Sequence, residues 1–187
     1  LLRNLLFVRD GRIHTDQLDA ICDQMATPPR NTSELLADLQ AQVAANQSGV
    51  DGLKTLVQLH GEAAVQRQMA QLQSHAAGSV RGLIDRLADG RHQLELDDDS
   101  RLQLSVGIDR EMGRMTLDFS GTSPQHPGNL NAPLAVTRAV VLYVIRCLLK
   151  DDIPLNEGCF APIALIVPEG CLLNPQPPAA VVAGNVE

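Results

Sequence analysis

The residues best suited to chemistry lie in a polar loop between a patterned strand and an apolar helix. The loop covers residues 121–132 and combines proline and glycine with Asn129 and Asn131. These residue types restrict the backbone and hydrogen-bond locally. The helix expected from Pro133 offers free backbone N–H groups and a positive dipole end, and Arg138 adds charge nearby. The sequence therefore predicts a site for an anion or carboxylate; alternatively, the asparagines only cap turns and the helix.

Other motifs with known chemistry are weak in this sequence. His14 and the run Asp97–Asp99 are typical of solvated surface positions, and no His, Cys or carboxylate side chains recur at metal-site spacing. The segment 120–123 is not a G-x-S-x-G nucleophile elbow. Neither a G-x-G-x-x-G loop nor a Walker A loop occurs. We therefore assign no catalytic nucleophile, metal ligand or cofactor site within the chain.

Composition restricts the class of protein. The chain has 187 residues, of which 44% are hydrophobic, so it can bury an ordinary core. A net charge of −7 and 2% aromatic residues argue against nucleic-acid binding. No apolar stretch reaches the roughly 18 residues that a membrane helix needs. The four cysteines form no C-x-x-C motif and are expected to be buried thiols, which predicts a cytoplasmic location.

The first part of the chain, residues 1–90, is predicted to be mainly helical. Apolar residues recur at helical spacing over 33–88, and Ser33 is the expected N-cap. Glycines interrupt this pattern. We therefore expect a short helix from Thr15 or Asp16 to the prolines at 28–29, and three helices over 33–88, the first ending near Gly49 and the second at Gly61.

The second part, residues 91–187, is predicted to mix strands and helices. Strict alternation of apolar and polar residues indicates an antiparallel β-meander over 91–120. A helix over 133–149 is apolar on nearly every side and is expected to be buried on most of them. A buried strand is expected over 163–167. Together, the two parts predict an α+β fold.

Several runs of residues resemble the hydantoinase B family. This family includes the B subunits of ATP-dependent N-methylhydantoinase, the matching half of 5-oxoprolinase, and subunits of acetone and acetophenone carboxylases. The runs are LQAQVAAN at 39–46, DFSGTSPQ at 118–125, GNLNAPLAVTR at 128–138, DIPLNEGC at 152–159, IVPEG at 166–170, LNP at 173–175 and PPAAVVAGNVE at 177–187. The resemblance implies that the chain is an internal fragment of one larger hydantoinase B-type domain.

The resemblance also implies a function. In this family an A-type partner with an actin-like ATPase fold is thought to use ATP and Mg to activate a lactam or ketone oxygen, and the B-type part completes the opening of a small cyclic amide. The expected assembly is a hetero-oligomer. A divalent metal site would lie N-terminal to this fragment, and the fragment alone is expected to be inactive. Polar residues within or beside the matching runs form the candidate substrate-binding set: Thr122, Asn129, Asn131, Arg138, Asn156, Glu157, Asn185 and Glu187.

Two alternatives to a cyclic amide hydrolase remain at this point. One is a subunit of an ATP-dependent ketone carboxylase, because the same family contains such enzymes and the pair His126-Pro127 departs from the family pattern. The other is an assembly module without chemistry. Apolar residues recur every 3.5 residues from Val65 to Leu87, and such a stripe suits contact with a partner helix.

Overall fold

The computed structural model describes residues 6–23, 28–149, 153–154 and 156–185. The contacts within the chain form two units, Leu1–Gln66 and Arg67–Glu187. The boundary between these units lies inside a helix, whereas the composition changes near residue 90. The division into segments 1–90 and 91–187 stays a prediction.

The first unit contains a small hairpin and two helices. In chain order its elements are β1 (Val8–Arg9), β2 (Arg12–Ile13), α1 (Thr15–Asp23) and α2 (Thr32–His60). The two strands pair antiparallel around Asp10 and Gly11, which both take the positive φ that a tight turn requires. Helix α1 buries Leu18 and Cys22.

Helix α2 begins and continues differently from the sequence prediction. Asn31, not Ser33, is the N-cap: its side-chain oxygen accepts from the backbone N–H of Glu34, and the Ser33 hydroxyl donates to the same oxygen. The predicted break near Gly49 is wrong, because the helix runs unbroken to His60. A glycine costs only about 1 kcal/mol in a helix, which flanking turns can offset. The predicted end at Gly61 is confirmed, since this residue has a φ of +79°.

The second unit is built on a four-stranded sheet. Helix α3 (Glu62–Ile84) crosses from the first unit into the second. The other elements are β3 (Gly90–Glu95), β4 (Arg101–Asp109), β5 (Arg114–Asp118), α4 (Leu134–Leu148), β6 (Ile163–Ile166) and the 3-10 helices Glu157–Phe160 and Ala183–Asn185. The strand order is β3-β4-β5-β6. The first three strands are antiparallel, which confirms the meander, and β6 is parallel to β5. The α+β prediction is therefore confirmed.

The core of the second unit joins α3, the sheet and α4. Its buried members are Ala76, Val80, Leu83, Ile84, Met115, Leu117, Val141, Ile145, Ile153 and Cys159. Three of them, Ala76, Val80 and Leu83, belong to the predicted 3.5-residue stripe. That part of the stripe therefore packs in the core of the second unit and is not exposed to a partner.

Helix α4 is less buried than its composition predicts. It spans Leu134–Leu148, and Pro133 occupies the N-cap position. Its buried residues, Thr137, Val141 and Ile145, lie four residues apart and form one face. Tyr143 on another face is 68% exposed. The expectation of burial on most sides is therefore wrong for the described chain, because burial depends on how many elements pack against a helix and not on its apolar content alone.

Two smaller expectations also need correction. Three of the four free cysteines are buried, but Cys147 on α4 is exposed. The strand expected over 163–167 spans Ile163–Ile166 and alternates half-buried with exposed residues, because successive side chains point to opposite faces of the sheet and one face of this strand is uncovered. In the part of the chain that the structure describes, no helix has the length and apolar character needed to cross a bilayer.

Candidate functional site

A groove of about 710 Å³ opens beside α3 in the second unit. We call it the α3 groove. Its lining residues come from α3, α4, the first 3-10 helix and β6: Ala70, Gln73, Ser74, Ala77, Arg81, Arg138, Glu157, Gly158, Phe160, Ala161, Ile163 and Leu165. The small side chains on α3 leave space above that helix. Ile163 and Leu165 supply an apolar surface.

A glycine allows the 3-10 helix to lie against α3. A Cβ on the buried Gly158 would lie 2.2 Å from the backbone oxygen of Gln73, a distance that no side chain tolerates. Asn156 caps the same 3-10 helix, because its side-chain oxygen accepts from the N–H of Gly158 at 2.8 Å. Its amide nitrogen donates to the carbonyl of Pro154 at 3.1 Å. Asn156 therefore positions the turn that carries Glu157.

Arg138 and Glu157 form an ion pair at the α3 groove. The Nη2 atom of Arg138 lies 2.6 Å from Oε1 of Glu157, and its Cζ atom lies 4.3 Å from the centre of the Phe160 ring. The side chain of Arg138 is 38% exposed and that of Glu157 is 72% exposed. An exposed ion pair contributes only about 0–1 kcal/mol. These contacts therefore fix the orientation of the planar Arg138 guanidinium, and they contribute little to the stability of the fold.

Asn131 is turned into its own loop and does not face the α3 groove. Its side chain is fully buried. Its oxygen accepts from the N–H of His126 at 2.7 Å, and its nitrogen donates to the carbonyls of His126, Gly128 and Ala180 at 2.9, 3.2 and 2.8 Å. These bonds hold the loop rigid and join it to the C-terminal segment. The structure thus gives Asn131 the turn-fixing role that the sequence left as an alternative.

Thr122 and Asn129 also make contacts within the framework. The Thr122 hydroxyl donates to the carbonyl of Gln103 and accepts from its N–H, which attaches the start of the loop to β4. The side chain of Asn129 is exposed, while its carbonyl accepts from the N–H groups of Ala183 and Gly184. Their roles in substrate binding stay predictions.

The loop borders a second cavity through apolar residues. This apolar cleft has a volume of about 600 Å³ and includes Leu130 and Ala132 of the loop. Other lining residues come from β3, β4 and α4, among them Leu94, Leu104 and Val140. The loop therefore does line a hollow, through Leu130 and Ala132 and not through the two asparagines.

His126 connects the loop to the first turn of the meander, Asp97–Asp99, which the sequence predicts to be solvated. Its Nε2 lies 3.3 Å from Oδ2 of Asp98, and its Nδ1 accepts from the N–H of Gly128 at 2.9 Å. The pKa of Asp98 is lowered from 3.8, first by the backbone hydrogen bond from Ser100, then by the Ser100 hydroxyl, with a smaller effect of His126. His126, where the sequence departs from the family pattern, therefore contacts both the loop and the turn that contains Asp98.

The structure brings together three of the eight sequence candidates, Arg138, Asn156 and Glu157, and places Thr122, Asn129 and Asn131 elsewhere in the second unit. The side chain of Asn185, and Glu187 entirely, lie outside the described residues. Across the described ranges, no three His, Cys, Asp or Glu side chains gather where they could hold a metal ion.

The residues on the α3 side of the groove are not among those predicted from the sequence. Arg81, Phe160 and Gly158 all line it. A signal for α3 was present in the sequence, because Ala70, Ser74, Ala77 and Arg81 recur at helical spacing. Without the tertiary structure, small residues on a helix do not identify a groove, because they also occur at helix contacts and on exposed surfaces.

Comparison with known proteins agrees with the sequence resemblance. The profile of the Hydantoinase B/oxoprolinase family matches residues 1–187. The chain is 40% identical to 5-oxoprolinase 1 of Arabidopsis thaliana, in an alignment that covers 84% of this chain and 14% of that protein. It is also 40% identical to the 5-oxoprolinase of Saccharomyces cerevisiae, in an alignment that covers 84% of this chain and 13% of that protein. The chain therefore spans about a seventh of these relatives.

A solved structure shares the fold. The crystal structure of ATP-dependent caprolactamase from Pseudomonas jessenii superposes with a TM-score of 0.71 over 95% of this chain and 31% of that chain, at 21% sequence identity. At this identity the likeness shows the fold alone. The family match over the whole chain and the two oxoprolinases at 40% identity show that this chain belongs to the hydantoinase B/oxoprolinase family.

Proposed function

We propose that this chain is part of the B-type subunit or domain of an ATP-dependent cyclic amide hydrolase. The observation that carries the proposal is the 40% identity to two 5-oxoprolinases over 84% of the chain. The shared fold with an ATP-dependent caprolactamase supports it. Because the chain spans a small part of these proteins, the activity belongs to the full-length protein.

The proposed reaction divides the chemistry between two parts. A lactam carbonyl is a poor electrophile, and phosphorylation of its oxygen supplies a better leaving group. An A-type ATPase partner, in a separate subunit or in the same polypeptide, would supply ATP, Mg and this activation. The B-type part would hold the activated ring while the amide opens. Such a site needs donors aimed at developing negative charge and partial exclusion of water.

The α3 groove supports this role better than the loop does. Arg138 lines the groove, and its guanidinium contacts Glu157 and the ring of Phe160. We assign direct ligand contact to Arg138, with Glu157 orienting it. Asn131 and Asn156 act as the framework, because the structure shows their side-chain amides bonded to backbone groups.

The described residues do not fit a divalent metal site, since no suitable cluster forms within them. No step of the proposed role of this chain therefore passes through a metal. ATP and Mg are assigned to the partner. The cytoplasmic location stays a prediction.

The assembly-module alternative receives little support from the second unit. Ala76, Val80 and Leu83 of the proposed contact stripe are buried in the core of that unit. Met69 and Leu72 are about half exposed. Only this remaining part of the stripe within the second unit offers surface to another helix.

The test is an assay of the full-length protein with its A-type partner. We expect ATP-dependent ring opening of 5-oxoproline or a hydantoin, with ATP hydrolysis coupled to product formation. Absence of both ring opening and ATP turnover would refute the proposal. Bicarbonate-dependent consumption of acetone or acetophenone would instead identify a ketone carboxylase.

A further inference from the structure

Arg81 lies at the end of the α3 face that lines the groove. Ala70, Ser74, Ala77 and Arg81 follow one another along α3 at steps of four, three and four residues, so they share a face. The first three have small side chains. Gln73 also lines the groove from α3, and Arg81 is the charged residue of this α3 set, placed at its C-terminal end.

The aliphatic part of Arg81 packs against the turn between β4 and β5. Gly113 in that turn has a φ of +57°, and a Cβ built on it would lie 3.4 Å from Cδ of Arg81. This distance places the stem of Arg81 beside the turn, while the residue as a whole is exposed and therefore accessible to a ligand.

The charges of the groove are not balanced. Its charged lining residues are Arg81, Arg138 and Glu157. Glu157 pairs with Arg138, whereas within the described ranges Arg81 has no carboxylate partner. The groove is therefore locally positive on a chain whose net charge is −7.

We propose that the α3 groove binds the carboxylate of a small cyclic amide and that Arg81 is the residue that anchors it. A guanidinium matches a carboxylate with two parallel hydrogen bonds. The ring would lie over the apolar surface of Ile163 and Leu165. The proposal rests on the proposed function for the amide ring. Binding of the carboxylate can be tested separately from ring opening. If Arg81 anchors the carboxylate, it determines the preference of the groove for acidic over neutral lactams.

The experiment compares two lactams with the same five-membered ring. 5-Oxoproline carries a carboxylate and 2-pyrrolidone does not. Arg81→Gln in the full-length protein removes the charge at the groove. Arg67→Gln is the matched control, because it makes the same change on an exposed position of α3 outside the groove lining. Dissociation constants are measured without ATP, and kcat and KM are measured with ATP and the partner.

We expect Arg81→Gln to weaken 5-oxoproline binding and raise its KM by about tenfold or more, because glutamine lacks the charge and can keep at most one of the two hydrogen bonds. Its kcat should change little, binding of 2-pyrrolidone should not change, and the Arg67→Gln variant should behave as the wild type.

Three results would overturn the inference: unchanged 5-oxoproline binding in the Arg81→Gln variant, an equal loss for both lactams, or a wild-type protein that binds neither lactam. A wild-type protein that binds 5-oxoproline through Arg81 but opens no ring would refute the proposed function and leave this inference standing.

Discussion

Replacement of Asn131 by alanine tests whether this residue holds the loop together. The change removes one acceptor, used by the N–H of His126, and the amide that donates to three backbone carbonyls. Because the side chain is fully buried, water cannot replace these partners without opening the loop. The neighbouring Asn129 is the matched control, since its side chain is exposed and its structural contacts are made by its backbone carbonyl.

The magnitude follows from the groups left without partners. A buried donor or acceptor that loses its hydrogen bond costs about 1–3 kcal/mol. Asn131→Ala leaves one N–H and three carbonyls without this partner. The carbonyls can accept hydrogen bonds from other donors if the loop shifts slightly. We therefore expect a loss of about 2–5 kcal/mol in the free energy of opening the loop. Asn131→Asp should cost at least as much, because it directs a second oxygen at the carbonyls.

Hydrogen exchange in the full-length protein measures this loss directly. The amide of His126, bonded to Asn131, and the amide of Ala183, bonded to the loop, should lose protection in the Asn131→Ala variant. The same amides should stay protected in the Asn129→Ala variant, as exposed substitutions usually change stability by less than about 0.5 kcal/mol. Equal protection in both variants would refute the reasoning.

Three further predictions concern the groove and the meander turn. Gly158→Ala should displace the 3-10 helix from α3 and abolish ring opening. The control Gly82→Ala has open space for its Cβ and should not reduce activity. Similar ring-opening activities of the two variants would contradict the close approach of Gly158 to the backbone of Gln73. Arg138→Lys should lower kcat/KM about tenfold without altering assembly, because lysine lacks the planar fork; an unchanged kcat/KM in steady-state kinetics would argue against ligand contact. The hydrogen bonds from Ser100 hold the pKa of Asp98 below its ordinary 3.8, so their stabilisation is complete above that pH and is lost as pH falls through the lowered pKa. Ser100→Ala removes the hydroxyl and keeps the backbone N–H, so it should raise the pKa of Asp98 only part of the way towards 3.8 in an NMR titration. An unchanged pKa would contradict the contribution of the hydroxyl.

Most elements could be predicted because they depend on local patterns. The alternation over 91–120 reproduces the three antiparallel strands, and the apolar run after Pro133 reproduces α4. The break near Gly49 was predicted wrongly, since a single glycine weakens a helix without ending it. The parallel pairing of β6 with β5 had no signal in the sequence. Strands that are far apart in the chain pair only when the rest of the unit packs.

The candidate site was predictable in part. Residue types in the loop and at the start of the next helix selected Arg138, and a run that resembles the hydantoinase B family contains Glu157; the structure brings these two side chains to within 2.6 Å. The same residue types selected Asn131, whose side chain instead bonds the carbonyl of Ala180, 49 residues later. Residue type showed that these side chains would form hydrogen bonds, but not which groups they would meet.

By itself, the sequence determined the α+β fold class, the existence of a proline- and asparagine-rich loop before the apolar helix, and the resemblance to the hydantoinase B family. These properties follow from neighbouring residues, whose spacing sets backbone geometry and the face on which each side chain lies. Only the tertiary structure decided that Asn131 points inward and that Arg138 shares a groove with Arg81. The reason is that the partners of these side chains come from distant parts of the chain, and packing of the helices against the sheet brings them together.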